Sequence, residues 1–156
     1  MDPYLIRALE MTPRLAEHEL RRGAADFDIR PHEDRFSMRE VIAHLADWES
    51  IMLTRIRTGV ETPGATINAY DEGQMAIDHD YAASDPVQKL REWKADRAKS
   101  IEYIRGLSEE DFLKPVVHPE RGHMLVGDIA HMLVSHDIYH LEQLAEMTND
   151  KVVDTW

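Results

Sequence analysis

Apolar residues recur at three- and four-residue spacing through four long segments of the chain, and this period constrains the fold more than any other feature. Residues 2–22 carry Leu5, Leu9, Leu15 and Leu20 on one face, with Pro13 expected to kink or interrupt the helix. Arg21, Arg22 and Gly23 suit its end. Ser37 followed by Glu40 is a capping box. From it run Val41, His44, Leu45, Trp48, Ile51 and Met52, ending near Gly59. Asp85 and Pro86 open a third helix to about Arg105, lined by Val87, Leu90, Trp93, Ile101 and Ile104. The fourth runs from near Val126 to about Met147.

The connections are less regular. Thr62-Pro63-Gly64 reads as a turn, Ala69–His79 as a short helix, and Ser108–Asp111 as one further helical turn. Pro115 and Pro119 make 115–124 a loop, and the tail 151–156 reads as extended. Val116-Val117 and Lys151–Val153 are too short to build a sheet. The expectation is an all-α four-helix bundle, one domain over residues 1–156, with long inter-helix connections of which one crosses the bundle.

Composition excludes several functions. A net charge of −12 repels phosphate backbones and anionic lipid, so neither nucleic acid nor a membrane surface is an expected partner. With no cysteine, the chain has no disulfide, no thiolate metal ligand and no thiol nucleophile of its own. The acidic start Met-Asp-Pro-Tyr has no apolar core of a signal peptide, and no apolar stretch reaches the length of a membrane span. A cytoplasmic protein is the expectation.

Nine histidines stand out. His18, His32, His79, His118 and His123 fall on faces or loops expected to be exposed. His136 and His140 lie four apart on one helix, within about 40° of rotation, so both Nε2 atoms can reach one ion. Spacing alone is weak evidence, since chance supplies roughly half such a pair at this histidine content. Position is stronger. Both interrupt the apolar stripe of the fourth helix, which continues through Ile129, Met132, Leu133, Leu144 and Met147. His44 interrupts the second in the same way. Three imidazoles turned inward from two helices cost a few kcal/mol each unless partnered. One divalent metal satisfies all three, and core hydrogen bonds to carboxylates or carbonyls are the competing account. His131 lies about 140° around the helix from His136 and is expected at an edge or the surface.

Asp47, Asp137 and Glu142 flank the trio and could accept the second imidazole N–H groups, although acidic residues are abundant here. Arg97 either meets a substrate carboxylate or runs along the stripe's edge to solvent. Trp48 and Trp93 read as core, and Tyr139 as surface or edge. Ferritin-like di-iron proteins need interior Glu-x-x-His pairs, and zinc proteases His-Glu-x-x-His. The chain has no such Glu-x-x-His pair on its expected helices and no His-Glu-x-x-His.

His44-Leu-Ala-Asp-Trp-Glu49, Val126-Gly-Asp-Ile-Ala-His131 and His136-Asp-Ile-Tyr-His140-Leu-Glu-Gln143 together resemble the DinB-like (DinB/YfiT-like) superfamily. The resemblance spans the chain in helix order and length, and its specific content lies in the two histidine segments. It implies a four-helix bundle whose metal site is one histidine from the second long helix and two from the last, here His44, His136 and His140. Gln143 matches a common His-x-x-Gln close and would help shape the site. The resemblance also implies thiol S-transfer with a low-molecular-weight thiol and an electrophilic substrate as partners, and a homodimer.

Three neutral histidines leave an ion its full charge and an open position, which is the catalytic arrangement. Zinc is the first expectation, and nickel, iron and manganese also accept imidazole. A metal-dependent hydrolase uses the same ligands, and a non-catalytic metal- or ligand-binding bundle is the alternative from another class. A partner-binding bundle with polar core histidines is a third reading. No catalytic residue is assigned by the sequence.

Overall fold

The structure is a computed structural model that describes residues 3–149, so the expectation of an extended tail falls outside the described residues. Four long helices carry the fold: α1 (Pro3–Arg22), α2 (Met38–Glu61), α4 (Pro86–Arg105) and α6 (Val126–Thr148). Between them lie α3 (Glu72–Asp78), a 3-10 turn (Tyr81–Ala83), α5 (Glu109–Phe112), β1 (Pro115–His118) and β2 (Gly122–Leu125).

The helix starts follow local chemistry. Glu40 Oε2 accepts the Ser37 backbone N–H at 2.7 Å, which is half of the expected capping box. Asp85 accepts the N–H groups of Val87 and Gln88, with Pro86 in the first turn where its missing donor costs nothing. Asp128 accepts the Leu125 N–H at the start of α6.

Around the bundle the order is α1, α4, α2, α6, each helix packing on the next and α6 closing on α1. Chain neighbours α1 and α2 therefore stand diagonally opposite, as do α4 and α6. Two connections cross the bundle rather than the one expected: residues 23–37, and residues 106–125 with α5 and the strands.

The expected loop at 115–124 is instead a hairpin. β1 and β2 pair antiparallel, with Val116 opposite Met124 and His118 opposite Gly122, which takes φ +75°. Four-residue strands are too short to announce themselves. This pair is held by tertiary contacts. Ala65 and Ile67 hydrogen bond to Val117 along the outer edge of β1, and Val116 is fully buried in the core.

Pro13 does not interrupt α1, which runs unbroken from Pro3 to Arg22. A mid-helix proline leaves the carbonyl four residues back without its amide donor. That carbonyl, Leu9, accepts a hydrogen bond from Arg97 Nη1 at 3.0 Å. Arg97 is thus neither at the stripe's edge nor available to a substrate: it is 2% exposed. Leu15 and Val87, expected inside, lie on the outer face.

Arg97 belongs to a polar layer to which each long helix contributes one residue: Thr12, Glu49, Arg97 and Asp137, all buried. It bonds Glu49 Oε2 at 2.6 Å, Asp137 Oδ2 at 2.8 Å and Thr12 Oγ1 at 2.8 Å. Thr12 donates to Asp137, and Trp93 Nε1 to Glu49. The layer divides the apolar core in two. One part gathers Leu9, Met52, Ile56, Ile104, Ile129 and Leu133, the other Leu20, Met38, Leu45, Trp93 and Leu144. Burial alone would lower the Arg97 pKa, but the Asp137 and Glu49 carboxylates hold it above its ordinary value.

Candidate metal centre

His44 on α2 and His136 and His140 on α6 converge between the two helices. His44 Nε2 lies 2.9 Å from His136 Nε2, which lies 3.2 Å from His140 Nε2. One donor atom from each residue falls within 4.8 Å of the other two. A tetrahedral ion with Zn–N bonds of 2.0–2.1 Å would separate its nitrogens by about 3.3 Å, so the trio needs little adjustment to share one ion. His44 is fully buried and His140 nearly so, while His136 is half-buried and faces a cavity.

Burial holds all three imidazoles neutral. It pushes His44 down to about 3, aided by the charge of His140. It pushes His136 to about 2, with both other histidines adding to the effect. His140 falls to about 4 by burial, against an opposing hydrogen bond from Gln143. Neutral imidazole is the form that ligates a metal.

The second ring nitrogens are served unequally. His44 Nδ1 and His136 Nδ1 are buried without a hydrogen-bond partner among the described residues. His140 Nδ1 lies 2.7 Å from the Gln143 amide. That amide satisfies all its neighbours when its nitrogen donates to His140 Nδ1 and its oxygen accepts from Arg35 and from the Tyr139 hydroxyl. The His140 proton then sits on Nε2, the nitrogen facing the trio. In the opposite orientation His140 Nδ1–H donates to Gln143 Oε1 and the Nε2 lone pair is free for an ion. The Gln143 amide therefore selects between a metal-free and a metal-ready tautomer.

None of the flanking carboxylates bonds an imidazole of the trio. Asp47 pairs with His79 and Lys89, Asp137 with Arg97 and Thr12, and Glu142 is exposed. Each helix turns these side chains away from the trio. His131 is exposed and outside the cluster, as its angle around the helix requires.

His136 and His140 line a cavity of about 410 Å³. Trp48 forms one wall, its ring stacked on His44 at 5.3 Å and on His136 at 5.5 Å between centroids. Tyr70, Arg55, Glu72, His118, Glu120 and Arg121 contribute to the rest. His118 is a correction, since it is buried rather than exposed: the hairpin lays it over the cavity. Its pKa is lowered by burial and by Arg55 and Arg121. Sequence reasoning missed Arg55 and Glu49, although both are charges set in the apolar stripe of α2, the signal that exposed His44.

A four-helix bundle with three histidines converging from two helices defines the class of protein, and comparison places it. The chain belongs to the DinB superfamily, whose model matches residues 8–144. It is 26% identical over 150 residues to an Oceanobacillus iheyensis protein carrying the provisional name of metal-dependent hydrolase, covering 94% of this chain and 85% of that one. Its fold is similar to that of YfiT from Bacillus subtilis, described as a probable metal-dependent hydrolase with an unusual four-helix bundle topology. The TM-score is 0.87 at 19% identity, over 95% of this chain and 88% of YfiT. A mycothiol-dependent maleylpyruvate isomerase shares the fold at TM-score 0.68 and 14% identity, over 90% of this chain but only 60% of its own.

Proposed function

We propose that the chain binds one divalent metal ion through the Nε2 atoms of His44, His136 and His140 and is a metal-dependent enzyme acting on a small electrophilic substrate. The observation that carries this reading is the convergence of three neutral imidazoles, two buried and one half-buried, of which His44 and His136 have no other hydrogen bond among the described residues, beside an open cavity. Zinc suits the all-nitrogen donor set, and nickel, iron and manganese are the other ions to offer. When bound, the ion supplies Lewis-acid charge that acidifies a coordinated nucleophile.

The residues of the chain do the rest. Trp48, fixed by its stack on two of the ligands, shields one side of the site from water. Gln143 sets the His140 tautomer. The polar layer holds α2 and α6 in register through Glu49–Arg97–Asp137, with Asp137 adjoining His136. The cavity is of a size that accepts a small molecule.

The nucleophile is the thiol of a low-molecular-weight cosubstrate. The chain has no cysteine to contribute, and the fold is shared with an isomerase whose name states mycothiol dependence. Water is the second nucleophile, favoured by the hydrolase name of the Oceanobacillus relative.

The test is elemental analysis of untagged protein beside a His44→Ala/His136→Ala/His140→Ala variant shown to be folded by circular dichroism. Near one metal per chain in the parent and none in the variant supports the site. No metal in either, after zinc, nickel, iron and manganese are offered, overturns it. Thiol consumption and hydrolysis, assayed on the same metal-loaded protein, then separate transferase from hydrolase. Full metal with neither activity would favour a non-catalytic binding protein.

A further inference from the structure

Arg55 stands three turns beyond His44 on α2 and lines the same cavity as His136 and His140. It is 5% exposed, as buried as many core side chains, yet it forms no ion pair within 4.0 Å among the described residues. Its Nη2 donates to the Asn68 carbonyl at 2.8 Å, and its Nη1 makes only a 3.6 Å contact with Met52 Sδ. Nε has no acceptor among the described residues. The guanidinium lies over two aromatic rings, 5.2 Å from the centre of Trp48 and 5.5 Å from that of Tyr70. Burial lowers its pKa, but a guanidinium starts so high that it stays charged.

A buried cation with unused donors is costly unless something completes it. Elsewhere in this fold the cost is met within the chain: Arg97 has both Glu49 and Asp137. Among the described residues Arg55 has no ion pair, only two π faces, one carbonyl and the Met52 sulfur. Glu72 and Glu120 border the cavity and their charges offset part of the burial of Arg55, but both are exposed to solvent and neither forms an ion pair with it. The side chain is held in place by Trp48, the same indole that stacks on His136, so one ring separates the guanidinium from the histidine trio.

We propose that Arg55 is the carboxylate-recognition residue of this site, so that the substrate class is a small organic acid. Its carboxylate takes the free N–H donors of Arg55 while its reacting end lies at the histidines. Arg55 is a binding and positioning residue, taking no part in bond making. Arg121 and His118, at the hairpin end of the cavity, add donors around the same anion. The planar fork matches a carboxylate in a way that lysine cannot. The inference rests on the metal-centre reading for the placement of the reacting end, but not for the carboxylate contact itself.

The test measures binding of acetate, succinate, glutarate and adipate by calorimetry to wild type, Arg55→Met and Arg55→Lys, each with zinc loaded and after chelation. Arg55→Met preserves the aliphatic packing and removes the fork. With zinc, acetate needs only the ion, whereas a dicarboxylate of the right length reaches both centres. It should therefore bind at least about tenfold more tightly than acetate, and that gain should vanish in Arg55→Met. Zinc content should remain near that of wild type in both variants. After chelation the dicarboxylates should bind more weakly but still better to wild type than to Arg55→Met. Arg55→Lys should fall between, and it carries the comparison if Arg55→Met does not fold.

Equal binding of every dicarboxylate to wild type and variants, in both states, would overturn the inference and leave the metal reading standing. Failure to bind zinc with Arg55-dependent carboxylate binding intact would do the reverse.

Discussion

Arg97 Nη1 donates to the Leu9 carbonyl at 3.0 Å, the oxygen that Pro13 leaves without a backbone partner inside α1. One guanidinium thereby repairs a helix ladder and neutralises two buried carboxylates from two other helices.

Arg97→Met should be strongly destabilising. It strands Glu49 and Asp137 in the core and reopens the Leu9 carbonyl. Removing one partner from a buried ionic cluster costs about 3–5 kcal/mol. Urea denaturation measures it, and a loss under about 1 kcal/mol would show that the layer is not what joins the four helices.

Gln143 gives a graded test of the metal centre. Gln143→Leu removes the amide whose oxygen, in its metal-ready orientation, accepts from His140 Nδ1 and leaves Nε2 unprotonated, and metal affinity should fall about 10–100-fold with the fold retained. Gln143→Glu offers an acceptor in either rotamer and should bind metal at least as tightly as wild type. Competition against a chelator of known affinity reads both, and the argument fails if Leu and Glu behave alike.

The pH dependence follows from the depressed histidines. His44, His136 and His140 sit near 3, 2 and 4 in the fold against an ordinary value of 6.5. The unfolded chain therefore binds more protons below pH 6.5, so the metal-free protein loses stability as pH falls from 6.5 toward 4. The slope is about 1.4 kcal/mol per pH unit for each proton taken up. A His44→Leu/His136→Leu/His140→Leu variant should lose that part of the slope. Thermal melts of metal-free protein between pH 7 and pH 5 check this, and parallel curves for parent and variant would contradict it.

Gly59 marks the close approach of α2 to the start of α6. A Cβ there would meet Val126 Cγ2 at 2.6 Å, and Val126 is fully buried. Gly59→Ala should cost about 1–3 kcal/mol by overpacking. It should leave zinc stoichiometry unchanged, since the histidines lie several turns away.

Much of this molecule is written locally. Helix period, the caps at Asp85 and Ser37, and the i,i+4 pair of His136 and His140 are properties of neighbours along the chain, so the four helices and the inward-facing histidines were legible in the residue order. So was the exclusion of His131, because helix geometry alone places it on another face.

What the sequence left open depends on partners distant in the chain. Pro13 reads as a break until Arg97, 88 positions away in the chain, is brought to Leu9's carbonyl as a donor that no local pattern supplies. Arg55 and Arg97 are the same residue type in the same kind of apolar stripe. Only the packing of α1, α2 and α6 around them decided that Arg97 would be neutralised within the core and Arg55 left facing a cavity. The hairpin that puts His118 on that cavity likewise forms because residues 65–67 and the core hold its short strands. Period and capping are short-range energies and can be read from one sequence. Charge compensation and strand pairing are settled by which segments meet, and that is fixed only when the bundle closes.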